Sequence, residues 1–309
     1  MSIPITIITR SSKLAMWQAN FIADQLRHAG ATVTINPIET KGDKVLSTTL
    51  SKIGSKGVFT AELETALLKG TADIAVHSAK DMPSELPMGL EIIAFSEREK
   101  VHDVLISNKQ HLSIEQSITI GTASTRRVGL LKHYFPNCSI VPVRGNLQTR
   151  FKKMEEGACD GLLLAYAGVH RMDMAKYIIH EFDTDHFTPQ TGQGAIAIEV
   201  SSNLAKAKKE LITTVCNNKK SQIEIECERA FLYTMQGGCS VPVFAYAKEE
   251  KGIISLNAGI IGLHGEKRIQ HVFEDKSINH LSLGQYAAEV ILAKGGKELL
   301  KTIKKELSK

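Results

Sequence analysis

Short apolar runs alternate with amphipathic stretches of helical length through the first two hundred residues, and no other feature restricts the fold as much. Residues 5–9 (ITIIT) read as a buried strand. Residues 12–30 follow with apolar positions at Leu14, Trp17, Phe21, Ile22 and Leu26, which is helical spacing, and Gly30 stops the segment. Residues 32–38 alternate as a second strand. A polar, glycine-bearing stretch reads as a long mobile loop before a short helix that begins near Thr60 and ends at Gly70. The strand of ADIAVHSAKDMP then completes a β-α-β-α-β order, the pattern of a parallel sheet with helices on both faces. The architecture recurs without residue-level repetition. Strands are predicted at 103–107, 118–124, 139–143 and 160–168, and helices at 125–134 and 146–156. A further strand at 194–200, with a helix after it, can return the chain to the first unit. From about Lys219 the order changes to a helix, three consecutive antiparallel strands and two closing helices, an α+β unit.

At 309 residues the chain is long for one core, so two or three domains are expected. The N-terminal residues show no signal-peptide pattern, and no apolar run approaches the roughly 20 residues that cross a bilayer. A cytoplasmic protein is the expectation. Five cysteines (Cys138, Cys159, Cys216, Cys227 and Cys239) show no metal-ligand spacing and read as free thiols. Neither GxxxxGK[ST] nor GxGxxG occurs, and TGQGA is a glycine-rich turn without that spacing. No nucleic-acid motif is present and one Trp is available for stacking, so nucleic acid is not expected as a partner.

Ligands of open α/β sheets sit beyond the carboxyl ends of the strands. Here those ends are polar. TRSSKLAMWQ puts Arg10 and Ser12 where a strand meets a helix N-terminus, whose unpaired N–H groups attract anions; Ser12 as a plain cap is the alternative. VHSAKDMP packs His77, Ser78, Lys80 and Asp81 into a turn, where Lys80 and Asp81 can equally form a local ion pair. GTASTRRVGLL places Thr122, Ser124, Arg126 and Arg127 at another strand-to-helix step. Two cations there oppose the helix dipole and suggest a negative partner. VPVRGNLQTR adds Arg144, Gly145 and Arg150. Five of the ten arginines lie between residues 126 and 171, and guanidinium forks suit carboxylate or phosphate. TMQGGCSVPVF is the remaining oddity: Gly237 and Gly238 run into Cys239, either a tight turn with a small apolar residue or a thiol presented for covalent chemistry.

In order, TRSSKLAMWQA, SKIGSKGVF, ADIAVHSAKDMP, GTASTRRVGLL, VPVRGNLQTR, TGQGAIAIE and ERAFLYTMQGGCSVPV resemble the porphobilinogen deaminase (hydroxymethylbilane synthase) family over essentially the whole chain. The resemblance implies two periplasmic-binding-protein-like α/β domains, 1–97 with 197–215 and 98–196, plus a smaller α+β C-terminal domain at 216–309. It implies a transferase that deaminates four porphobilinogen molecules and joins them head to tail into hydroxymethylbilane, in tetrapyrrole and haem biosynthesis. A dipyrromethane cofactor would hang by a thioether from Cys239, with Asp81 as the catalytic acid and no metal.

The same resemblance assigns cofactor and substrate binding to Arg10, Ser12, Gln18, Ser78, Lys80, Thr122, Ser124, Arg126, Arg127, Arg144, Gly145, Arg150, Gly168, Arg171 and Gln193. Lys52, Lys56 and Phe59 fall on the loop expected to cover the cleft. Met16, Ala79, Val128 and Ser240 depart from other members at positions with no assigned chemistry. His77 reads as a core histidine, and Cys138, Cys159, Cys216 and Cys227 as structural. The family usually acts as a monomer. The rival reading is a non-catalytic two-lobed binding protein for a small carboxylated ligand, which the first two units alone would fit.

Overall fold

The computed structural model describes residues 2–40, 60–109, 111–237 and 241–308. Two five-stranded sheets and one three-stranded sheet organise them. The first runs β2-β1-β3-β10-β4, from β1 (Pro4–Arg10), β2 (Thr32–Ile38), β3 (Ile74–Ser78), β4 (Leu90–Phe95) and β10 (Ile196–Ser201). The second runs β7-β6-β8-β5-β9, from β5 (Asp103–Ile106), β6 (Thr119–Gly121), β7 (Ser139–Val141), β8 (Gly161–Ala165) and β9 (Ile178–Glu181).

The two orders are the same order. In each, four strands point one way and the remaining one runs against both its neighbours: β10 against β3 and β4, β5 against β8 and β9. In each, that reversed strand is the one delivered by the chain crossing from the other lobe. This corrects the expectation of parallel sheets. Direction follows from where the chain enters, and apolar content does not encode it. Strands β4 and β9 also went unread, and the strand expected at 160–168 stops at Ala165, where a short helix takes over.

Local chemistry explains the helix starts. Ser12 caps α1 (Lys13–His28), its hydroxyl accepting from the Ala15 N–H. After α2 (Ala61–Leu68), Ser124 caps α3 (Thr125–Tyr134) by accepting from the Arg127 N–H, and Asn146 caps α4 (Leu147–Glu155). The short α5 (Tyr166–Arg171) has no side-chain cap. Helix α6 (Lys206–Cys216) lies against β4 and α1 in the first lobe. Asn218 caps α7 (Lys219–Thr234).

In the third unit, β11 (Val243–Glu250), β12 (Ile253–Ile261) and β13 (Arg268–Lys276) form an antiparallel meander. Helices α7, α8 (His280–Ile291) and α9 (Lys297–Leu307) bury a core of Phe231, Leu256, Ile260, Ile291 and Ile303 with it. This unit also joins both lobes. Ile225 of α7 packs with Met82 and Phe95 of the first, while Phe244 and Ile261 pack with Leu130 and Phe187 of the second.

Candidate active site

The Asp81 turn sits where all three units meet. Strand β3 ends at Ser78, a 3-10 turn carries residues Ala79–Asp81, and Pro83 leads away. The turn is gripped through its backbone. The Ala79 N–H donates to Ala195 O (3.0 Å), Gln190 Nε2 donates to Lys80 O (3.1 Å), and Arg229 Nη2 donates to Pro83 O (2.9 Å). Asp81 itself is exposed. Behind it, Gln18 is buried and donates to the Ser78 hydroxyl at 2.9 Å, so helix α1 fixes the start of the turn. His77 is buried with Nε2 3.0 Å from Glu199 Oε2, a satisfied core histidine. Lys80 is pushed down from 10.5 to about 8, by burial first and by the Arg127 guanidinium next, against the pull of Asp81 and Asp103.

In the second lobe Arg126 and Arg127 are both buried, and one carboxylate serves them. Arg126 Nη2 donates to Asp103 Oδ2 at 2.7 Å and Nη1 to Thr188 O at 2.8 Å. Arg127 donates from Nη2 (2.7 Å) and Nε (3.2 Å) to Asp103 Oδ1, and from Nη1 to Leu163 O (3.0 Å). Buried Gln193 adds a bond from Nε2 to Asp103 Oδ1 at 3.0 Å. Burial would raise the Asp103 carboxyl, and the two guanidinium groups outweigh it, holding it well below its usual range. Two cations against one anion leave an excess positive charge in a dry setting. The Arg126 Nε is buried with no hydrogen-bond partner among the described residues.

Arg150 and Arg171 have no such counter-ion among the described residues. Arg150 donates from Nε to Gly145 O (2.7 Å) and Arg171 from Nη2 to Gly194 O (2.7 Å); among the described residues neither has a carboxylate at ion-pair distance. Burial pushes each down to about 10, helped for Arg150 by Arg127 and opposed by Asp81, and opposed for Arg171 by Glu99. Arg10, at the end of β1, and Arg144 are half-buried, and the Arg144 carbonyl accepts from Lys153 Nζ at 3.2 Å. Gly145 has φ of +121°, and a Cβ there would meet Thr149 at 2.7 Å, which keeps this corner to glycine. Thr122 is buried and its hydroxyl accepts from the Ser124 N–H at 3.3 Å. Gly168 faces Leu147 and Leu14 with room for an ordinary van der Waals contact.

The crossings are locked together. Arg98, in the outgoing segment, forks onto Glu228 of α7 at 2.7 and 3.1 Å and donates to Gln193 O at 2.9 Å. Glu228 also accepts from the Gly192 N–H (2.7 Å) of the returning segment and from the Ala247 N–H (2.8 Å) of β11. Gly194 beside them has φ of +97°, and a Cβ there would sit 2.5 Å from Glu99 O. The TGQGA turn is thus a device for close backbone approach between the crossings.

A cavity of about 740 Å³ opens in front of these groups, lined by Lys80, Ser124, Arg126, Thr191, Gly237 and Val241 among others. The buried Thr191 hydroxyl has no partner among the described residues. Unpartnered donors of Arg126 and Thr191, with Lys80 beside them, face one cavity and fit a polyanionic group, and a dipyrrole bearing four carboxylates is one. Cys239, Lys52, Lys56 and Phe59 lie outside the described residues; Gly237 and Val241, on either side of the Cys239 segment, line this cavity. The other cysteines, Cys138, Cys159, Cys216 and Cys227, are all buried, and burial pushes the Cys216 thiol up to about 12.

Sequence reasoning passed over Asp103, Arg98, Glu228 and Thr191. Asp103 did carry a signal, a charged residue opening an otherwise apolar strand (DVLI). Glu228 carried none, because its partner is 130 positions away. Arg127 was assigned to a ligand, yet its Nε and both its Nη atoms already donate within the protein.

Comparison with known proteins places these residues in context. Residues 5–209 match the family described as "Porphobilinogen deaminase, dipyromethane cofactor binding domain", and residues 222–293 match "Porphobilinogen deaminase, C-terminal domain". The porphobilinogen deaminase of Desulfosudis oleivorans is 48% identical over 305 residues, 98% of each chain. That of Cytophaga hutchinsonii is 47% identical over 311 residues, 100% of each chain. Among solved structures, the periplasmic VFT2 domain of Bordetella pertussis BvgS covers 75% of this chain and 92% of its own, with TM-score 0.42 and 12% identity.

Proposed function

The chain belongs to the porphobilinogen deaminase family, and from that premise we propose which of its residues carry the reaction. The enzyme deaminates porphobilinogen and joins four molecules head to tail into hydroxymethylbilane, using a dipyrromethane cofactor. Matches along both 5–209 and 222–293 decide for the enzyme over a binding-only protein. When bound, the dipyrromethane supplies the pyrrole carbon onto which the chain grows. We assign its thioether to Cys239 on the TMQGGCSVPV motif, a thiolate being a strong nucleophile toward an electrophilic methylene carbon.

Asp81 is the acid–base residue. It is exposed on a turn held by three backbone contacts, so its carboxylate stays put while its surroundings change. There it accepts from the pyrrole N–H and the ammonium group of porphobilinogen, offsets the cationic carbon left when ammonia departs, and takes up the proton released on coupling. Lys80, Arg126, Arg150 and Arg171, with Arg10 and Arg144, receive the acetate and propionate groups. Ser12, Ser78, Thr122, Ser124 and Gly145 shape the junctions, while Gln18, Gln193 and Arg127 hold them from behind. By the SKIGSKGVF motif we assign Lys52, Lys56 and Phe59, which lie outside the described residues, to the loop that covers the cleft.

The domain limits we propose are 1–97 with 197–215, 98–196, and 216–309, acting as a cytoplasmic monomer without nucleic-acid or membrane partners. No helix among the described residues is long and apolar enough to cross a membrane.

One observation carries the residue assignment: two buried guanidinium groups share one carboxylate and leave an unpaired Nε beside the cavity. Intact-mass and peptide-mass measurement tests the anchor. The purified protein should exceed its 33.9 kDa chain mass by two pyrrole units, located at Cys239 and absent from Cys239→Ser. A mass increment on another residue, or retention of the increment by Cys239→Ser, refutes the assignment.

A further inference from the structure

We propose that Trp17 is a positioning residue: from the first lobe, its indole holds the Arg171 guanidinium of the second lobe ready to receive a substrate carboxylate. The proposal rests on the role given above to Arg171.

Arg171 ends α5, and its guanidinium carbon lies 5.3 Å from the centroid of the Trp17 ring. Among the described residues it donates once, from Nη2 to Gly194 O at 2.7 Å. Its Nε and Nη1 donate to no described residue. Glu99 is near enough to pull on its charge, but spends its Oε2 on His170 Nδ1 at 2.8 Å. A half-buried cation without a carboxylate needs some other compensation, and the negative face of an indole supplies it.

The kind of support matters. A carboxylate in place of the indole would occupy the in-plane donors and cancel the charge, and an incoming substrate would have to displace it. An aromatic face contacts the guanidinium from above and leaves its in-plane edge, and its full charge, for a bidentate carboxylate. Gly194 O then fixes rotation in the plane. Gly194 lies in the returning crossing, and its carbonyl also accepts from the Glu99 N–H of the outgoing one at 3.2 Å, so this second contact of the guanidinium sits where the crossings are joined.

Trp17 is itself held. Phe21, one turn on, stacks with it at 5.4 Å between centroids and 8° between planes. Its neighbour Gln18 is pinned to Ser78 at the root of the Asp81 turn. Helix α1 therefore ties the indole to the catalytic carboxylate through a few stiff contacts. Trp17 is 36% exposed, so its side chain is only partly committed to the core.

Steady-state kinetics of the cofactor-loaded enzyme test this. Trp17→Leu should raise the KM for porphobilinogen about threefold to thirtyfold with kcat within about threefold, from the usual range of cation–π strengths. Trp17→Phe should recover most of the loss, and it also covers the case in which the leucine variant folds poorly. Arg171→Gln should be impaired more strongly, and adding Trp17→Leu to it should change nothing further. Trp17 is the only tryptophan in the chain, so its emission should shift on saturation with porphobilinogen, and not in Arg171→Gln. A Trp17→Phe and Trp17→Leu pair with wild-type KM beside an impaired Arg171→Gln would overturn the positioning role alone. Equal Trp17→Leu effects with and without Arg171, or an emission indifferent to substrate, would do the same. Wild-type kinetics in Arg171→Gln would instead remove the reading of Arg171 on which the proposal stands.

Discussion

The molecule holds two populations of buried or half-buried cations. Arg98, Arg126 and Arg127 are met by carboxylates of the protein itself, Glu228 and Asp103. Lys80 lines the cleft beside the Arg126 and Arg127 guanidinium groups, while Arg150 and Arg171 are met by backbone carbonyls and, for Arg171, an aromatic face. In the first population, burial is compensated within the fold, fully for Arg98 and in part for the Arg126–Arg127 pair that shares Asp103. In the second it is not, and the charge is held available. A protein that handles a lengthening chain of carboxylates needs the second kind to bind it. It needs the first to keep the binding wall from collapsing when the site empties.

Breaking the first population should have the largest effect. Asp103→Asn leaves two guanidinium groups buried beside each other without an anion, and should cost about 3–5 kcal/mol, read as a fall in the thermal midpoint or loss of soluble protein. A midpoint within a degree of wild type would mean that the pairing is not structural. Acid titration carries the same information. Asp103 is depressed in the folded state, so its stabilisation is present above the unfolded carboxyl value. It is lost only as pH falls through the lower folded one, and Asp103→Asn should flatten that limb.

Asp81→Asn belongs to the cleft and should behave oppositely: turnover down on the order of 100-fold or more, with the thermal midpoint unmoved. Near-normal turnover would remove Asp81 from the chemistry. Arg150→Gln should weaken porphobilinogen binding about tenfold while leaving stability unchanged or slightly raised, since it deletes an uncompensated charge. A large loss of stability would move Arg150 into the first population.

The smallest effect is a pH trend from Lys80. Its folded value of about 8 lies below its ordinary 10.5, so between those values the unfolded chain binds more protons and stability rises with pH. Lys80→Met should remove that rise, which differential scanning calorimetry at pH 7.5 and 9.5 would register. A rise that persists unchanged would assign it to other groups.

Much of the architecture was legible in the residues. Helix starts at Ser12, Ser124 and Asn146 follow from hydroxyl and amide side chains that satisfy N–H groups two or three positions on. His77, Cys216 and Cys227 were readable as core because they sit on an apolar strand and on helices, while Cys138 and Cys159, expected on such elements, are buried in the turns just ahead of β7 and β8. The polar strand ends around Arg10, Asp81, Arg126 and Arg144 announced a cleft. What could not be read was which cations were already spoken for. Arg126 and Arg127 look alike in TASTRR, and only the fold shows that Arg127 is fully engaged while Arg126 keeps one donor spare.

From its sequence alone this protein is determined in its local pieces: the alternation of strand and helix, the caps, the turn that carries Asp81, and the family motifs that name the reaction. Periodicity and capping act over a few residues, so a few residues suffice to read them. The tertiary structure decided the reversed direction of β5 and β10, the sharing of Asp103, the Arg98–Glu228 lock and the meeting of Trp17 with Arg171. Charge pairing and stacking depend on distance in space, and groups up to 154 positions apart in the chain become neighbours only when the lobes are built.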